Sequence, residues 1–141
     1  LYKTLKLIML VKMKYVLIIL FFLISPNSYA DWKKIVVNQD GSAEHFIDFD
    51  TYKKINNQIL VWELVNYHKK LLPTGEPIHS AKNLLEVNCA EGKMRYKTSL
   101  YYGSTHGKGK LISLDNKGSG RWFYDAPGTT GYKELKAICK Y

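Results

Sequence analysis

Hydrophobic and polar positions from Trp32 onward fall into short β-type runs that end in one helical stripe. Trp32 to Val37 (WKKIVV) is β-branched and aromatic and predicts a first strand. Asn38-Gln39-Asp40-Gly41 is a turn, with Asp-Gly as its hairpin signal, and Ala43 to Phe49 (AEHFIDF) predicts a second strand. Asp50 to Ile55 reads as a single helical turn or irregular crossing, capped by Asp50 or Thr51. Ile59 to Tyr67 (ILVWELVNY) is the most apolar run. Leu60, Trp62 and Leu64 make one face, and Ile59, Val61, Val65 and Tyr67 make the other, interrupted by Glu63. A strand apolar on both faces is expected to be central and covered on two sides. His68 to Ile78, holding Pro73, Gly75 and Pro77, predicts a long loop.

The stretch from Ala81 to Tyr102 (AKNLLEVNCAEGKMRYKTSLYY) predicts a hairpin with Glu91-Gly92 at its turn. With Ala90 facing Lys93, the pairs are Cys89 with Met94, Val87 with Tyr96 and Leu85 with Thr98 on an apolar face. Asn88 with Arg95, Glu86 with Lys97 and Lys82 with Tyr101 then lie on a charged one. Gly103 to Gly109 follows as a flexible loop, Lys110 to Leu114 as a short strand, and Asn116 to Gly120 as a turn-rich stretch. Trp122-Phe123-Tyr124 is an edge strand or an aromatic plug. Thr130 is placed to cap a helix over Gly131 to Lys140, with Tyr132, Leu135, Ile138 and Cys139 on one stripe. A helix that short is marginal alone in water, so it must pack on the sheet. The class is therefore α+β, or mostly β with a terminal helix.

The first thirty residues change this picture by standing outside it. Lys3, Lys6, Lys12 and Lys14 precede an apolar run from Tyr15 to Ile24, and Ser28-Tyr29-Ala30 is an A-x-A-like site. That is the layout of a secretory signal peptide cleaved after Ala30, with Met9 and Met13 as candidate starts. The apolar run is about half of the roughly 20 residues needed to span a bilayer. Residues 31–141 then form a single domain. The formal net charge is +9, but the four leader lysines supply nearly half of it. What remains is mild and spread along the chain, which suits an anionic glycan or protein partner better than nucleic acid. No cysteine follows Ala30 closely, so no lipid anchor is expected. In an exported protein Cys89 and Cys139 are most simply a disulfide, worth about 4 kcal/mol by chain entropy for a loop of this size.

Little catalytic chemistry is legible. Gly103 to Gly109 (GSTHGKG) departs from a phosphate loop in spacing, lacks Ser or Thr after Lys108, and does not lead into a helix. His45, His68, His79 and His106 share no H-x-x-x-H or H-E-x-x-H spacing, so no metal or cofactor site is expected. His79 and His106, near Ala81 and Tyr102, are the pair placed to approach one another. Glu63 is the carboxylate out of place, with Asp48, Glu86 or Asp125 as candidate partners, or a Lys on a neighbouring strand. No G-x-S-x-G occurs and both cysteines are expected to be oxidised, so no enzyme is inferred. Lys82, Arg95, Lys97 and Tyr101, with Asn88 and Glu86, instead gather on the hairpin's polar face. With the loop around His106 they form the candidate partner-binding surface.

Taken in order, several motifs resemble one family. They are Asp31-Trp32, F-I-D-F-D before a crossing, L-V-W-E-L-V-N-Y, S-A-K-N-L-L-E-V-N-C, Met94-Arg95-Tyr96, Trp122, and Ala126-Pro127-Gly128-Thr129 before a helix ending in Cys139. Together they are similar to the surface-adhesin protein E family of Gram-negative bacteria, over essentially all of residues 31–141. The resemblance implies an antiparallel sheet of about six strands with a C-terminal helix tied to it by a disulfide. It also implies a non-enzymatic surface or periplasmic protein that binds host extracellular-matrix and serum proteins and has the capacity to form a homodimer. Displayed members carry a lipid anchor, and with no cysteine close after Ala30 the expected location is periplasmic or secreted. The alternative function is a small periplasmic enzyme inhibitor or envelope-stress protein acting through Lys69 to Ile78 or Gly103 to Gly109.

Overall fold

In the computed structural model, residues 30–71 and 75–141 are described, together with Tyr15. Apart from Tyr15, the segment before Ala30 that is expected to be a signal peptide, and part of the predicted 68–78 loop, lie outside the described residues. The elements are β1 (Trp32–Val37), β2 (Ala43–Ile55), β3 (Gln58–Leu71), β4 (Ile78–Asn88), β5 (Lys93–Ser104), a 3-10 turn (Thr105–Gly107), β6 (Lys108–Asp115) and α1 (Thr130–Lys140). The strands form a six-stranded sheet in chain order, each antiparallel to the next. Among the described residues, no helix is long and apolar enough to cross a membrane.

Three sequence expectations need correction, each for a local reason. Asp50 to Ile55 is not a helical turn, because β2 runs on through an irregularity between Asp48 and Lys53. The polar residues expected to cap a helix build that irregularity instead. Thr51 Oγ1 donates to the Asp48 carbonyl at 2.6 Å and accepts from the Trp62 amide at 3.0 Å, while Asp48 Oδ1 accepts from the Asp50 amide at 3.1 Å. The 68–78 loop is likewise shorter than expected, since β3 reaches Leu71 and β4 begins at Ile78.

The hairpin register also differs. Asn88 pairs with Lys93, Val87 with Met94, Glu86 with Arg95 and Leu85 with Tyr96, so the turn takes four residues, Cys89 to Gly92. Asn88 sets this turn. Its Oδ1 accepts from the Glu91 amide at 3.1 Å and its Nδ2 donates to Glu91 Oε1 at 2.8 Å, while Gly92 takes a left-handed φ of 65°. A two-residue shift preserves the faces near the turn. A second irregularity between Leu84 and Leu85 then sets Lys82 against Leu100 and Tyr101 against Ala81. Tyr101 therefore leaves the face that carries Lys82.

α1 packs across part of one face, called inner here. Leu135 and Ile138 meet Ile47, Ile59, Val61, Leu85, Val87 and Met94 in a continuous core. Full burial of such a side chain is worth about 1.5–3 kcal/mol. Cys89 and Cys139 form the expected disulfide, with Cα atoms 5.7 Å apart, tying the hairpin turn to the end of α1. The helix starts one residue earlier than predicted, and its cap is Thr129, whose side chain accepts from the Tyr132 amide at 3.3 Å. Phe123 resolves the choice between strand and plug by being both. It exchanges backbone hydrogen bonds with Met94 at 2.9 and 3.1 Å and packs against Tyr96.

Candidate functional site

α1 leaves the outer face of the sheet uncovered, and that face carries aromatic side chains interleaved with cations. Lys82 Nζ lies 5.5 Å from the Tyr102 ring centre and 5.9 Å from that of Trp32. Towards the β4–β5 turn, Arg95 and Lys93 flank the Trp122 ring at 4.4 and 4.8 Å. Between the two stacks, half-buried Leu60, Trp62 and Leu84 line a shallow depression with Asp50, Thr51 and Lys53. Stacking on an aromatic face fixes a cation at little entropic cost and leaves an amphipathic surface of the kind enriched at protein interfaces.

The candidate residues from the sequence divide between two faces. Lys82, Arg95 and Lys97 are outer. Arg95 Nε donates to Glu86 Oε2 at 2.6 Å and Lys97 Nζ lies 3.4 Å from the same oxygen, so part of the basic character is neutralised. The Arg95 hydrogen bond, opposed by burial, holds the Glu86 carboxyl below its ordinary range. Tyr101 is on the inner face. His106 is outer, but not on a flexible loop: its amide donates to Asn66 Oδ1 at 2.7 Å, Asn66 Nδ2 lies 3.3 Å from its Nε2, and its ring packs on Phe46. Gly107 donates its amide to Ser80 Oγ at 2.9 Å, and a Cβ there would collide with the Lys82 stem. The segment from 105 to 107 is thus folded onto the sheet, and Gly103 to Gly109 does not protrude as an inhibitory loop would.

The inner face beyond α1 holds a second feature. Glu63 is fully buried on β3, and the partner that meets it is neither Asp48, Glu86, Asp125 nor a Lys. His45 Nδ1 lies 2.7 Å from Glu63 Oε1, and Asn83 Nδ2 donates to Glu63 Oε2 at 2.8 Å. Glu134, from the middle of α1, is 3% exposed. Its Oε2 lies 3.9 Å from the same Nδ1, and its Oε1 is the one buried side-chain polar atom without a hydrogen-bond partner among the described residues. Burial, and then the neighbouring Glu63 charge, push Glu134 well above the ordinary carboxylate range. His45 and Asn83 also line a groove of about 520 Å³ with Val65, Tyr67, Tyr96 and Tyr101. Burial, with Glu63 as a lesser contributor, raises the Tyr67 hydroxyl to about 12, and the same causes raise Tyr96 further.

The model of the family described as Surface-adhesin protein E matches residues 32–140. The chain belongs to the surface-adhesin protein E family. Solved structures agree on the fold. One crystal form of Haemophilus influenzae protein E shares 18% identity at a TM-score of 0.63, covering 82% of this chain and 92% of that one. Another structure of Haemophilus influenzae protein E shares 20% identity at a TM-score of 0.61, covering 82% and 89%. A crystal structure of protein E from non-typeable Haemophilus influenzae shares 20% identity at 0.59, covering 82% and 80%. No curated protein matches in sequence.

Within this adhesin E family fold, sequence reasoning found Glu63 but missed His45 and Glu134 as its neighbours. His45 had a usable signal: it sits on the same alternation phase of β2 as Ile47, which pairs with Glu63 across the ladder. Glu134 had none beyond its place beside Leu135. Trp32, Tyr102 and Trp122, which complete the outer stacks, were missed because their contacts cross four strands and a loop.

Proposed function

We propose that this chain is an exported, non-enzymatic adhesin-like module that docks a partner protein on the outer face of its sheet. The observation that supports this reading most is the pair of cation–aromatic stacks, Lys82 with Trp32 and Tyr102, and Arg95 and Lys93 with Trp122, on a face that α1 does not cover. Membership of a family described as a surface adhesin points the same way. The partner class is an extracellular-matrix or serum glycoprotein, because Arg, Trp and Tyr anchors suit a folded protein surface and the mild basic excess suits its acidic patches. The Cys89–Cys139 bond fits a life outside the reducing cytoplasm.

Binding of the disulfide-bonded protein to immobilised matrix and serum glycoproteins tests this. Wild type is expected to bind at least one of them at micromolar concentration or below. Trp122→Ala and Lys82→Glu should each weaken that binding about tenfold or more, as removal of an anchor does. Arg95 is a poor choice for the test, because its loss strands Glu86. Unchanged binding in both variants, with their circular dichroism intact, would remove the outer face from the account.

A further inference from the structure

Docking on the outer face makes no use of the buried group on the inner one. His45 on β2, Glu63 on β3 and Glu134 on α1 each offer a donor atom, and these atoms all lie within 4.8 Å of one another. Glu63 and Glu134 are almost wholly removed from water, so both can be charged there together only with a cation between them. The surroundings orient the third donor. Asn38 Nδ2 donates to Ser42 Oγ at 2.9 Å, which turns Asn38 Oδ1 towards His45 Nε2 at 3.2 Å. Nε2 thus carries the ring proton, and in the neutral ring the lone pair of Nδ1 faces the carboxylates. Glu63 is fixed in turn by Asn83 at 2.8 Å. A proton between Nδ1 and Glu63 would satisfy those two groups alone and leave Glu134 Oε1 as it is, buried and without a partner.

We propose that His45 Nδ1, Glu63 and Glu134 form a binding site for one divalent transition-metal ion, with Zn²⁺ as its best fit. One imidazole nitrogen and two carboxylates are a borderline donor set suited to Zn²⁺, whereas Ca²⁺ and Mg²⁺ call for six or more oxygens. Nδ1 lies 2.7 Å from Glu63 Oε1 and 3.9 Å from Glu134 Oε2. These separations straddle the roughly 3.3 Å between ligands of a tetrahedral ion bound at about 2.0–2.1 Å. A dication with two carboxylates and a neutral imidazole is electrically neutral, which suits a buried place. Of the three donors His45 alone lines the adjoining groove, so an ion would reach the group from the His45 side. Because the three donors come from β2, β3 and α1, the ion would clamp the middle of the helix to the sheet, as the disulfide does its end.

The test is calorimetric titration of the chelator-stripped, disulfide-bonded protein with Zn²⁺ alone. The expected result is one ion per chain with a Kd of about 10 μM or tighter, accompanied by a rise in Tm. Glu134→Gln keeps the shape of the side chain and removes a buried charge, so it should fold with an unchanged or higher Tm. It should bind Zn²⁺ at least about 100-fold more weakly. His45→Gln, a second ligand variant on a different element, should lose binding as well. In wild type, Co²⁺ in place of Zn²⁺ should give visible absorption bands. No Zn²⁺ uptake by wild type at 100-fold excess would overturn the proposal. So would wild-type affinity in either folded variant, which would place the ion on histidines elsewhere.

Discussion

Glu86 is 6% exposed, and Arg95 and Lys97 hold it ionised on the outer face. Its carboxyl lies below the ordinary value of 4.5 in the folded protein because the Arg95 hydrogen bond favours the charged form. A depressed carboxyl contributes stability that is fully present above the unfolded value and is lost as pH falls through the folded one. Wild type should therefore lose stability below about pH 4.5, and Arg95→Ala should flatten this part of the profile. At neutral pH the same variant should cost about 2 kcal/mol, since it leaves a buried carboxylate with only Lys97 nearby. Denaturant melts of both proteins at a series of pH values measure the two effects together. Glu63 shows what single residues disclose in a sequence. A charge in the run ILVWELVNY is conspicuous, but its hydrogen-bond partners His45 and Asn83 stand on other strands, and no local pattern names Glu134, 71 positions along the chain, as a neighbour.

At the level of elements, strand positions were legible because burial follows the period of two. The limits of β1 are those read from WKKIVV. β3 is central as expected, but it is covered on one side only, where Ile59 and Val61 meet α1, while Leu60 and Trp62 stay half-exposed on the outer face. Register was less legible. It depends on side-chain-to-backbone bonds at Asn88 and on irregularities near Asp48 and Leu84, which depend on three-dimensional geometry more than on composition. α1 was legible from its stripe, and its attachment from the cysteines. The helix has three supports with distinct expected costs. Thr129→Ala should cost about 1 kcal/mol by removing the cap. Ile138→Ala, at a fully buried position, should cost about 2–5 kcal/mol. Replacing both cysteines by serine should cost up to about 4 kcal/mol. Equilibrium unfolding of the three variants ranks them, and alkylation of wild type should find no free thiol before reduction and two after it.

For the whole molecule, the two faces of one sheet differ in cover and composition. The inner face is closed at one end by α1 and the disulfide, and opens at the other into the groove beside His45. The outer face presents Lys82, Trp32 and Tyr102 at one end and Arg95, Lys93 and Trp122 at the other, while His106 is tied down at Asn66. Membership of the adhesin E family gives the fold and the general role, and the docking surface we propose is the outer face. Hydroxyl-radical footprinting of side chains, with and without a bound matrix or serum glycoprotein, separates the faces most directly. Trp32, Tyr102 and Trp122 should be protected in the complex while Tyr67 and Tyr101 in the groove stay as reactive as in the free protein. Protection of Tyr67 and Tyr101 with the three outer aromatics unchanged would contradict the account and move the binding surface to the groove.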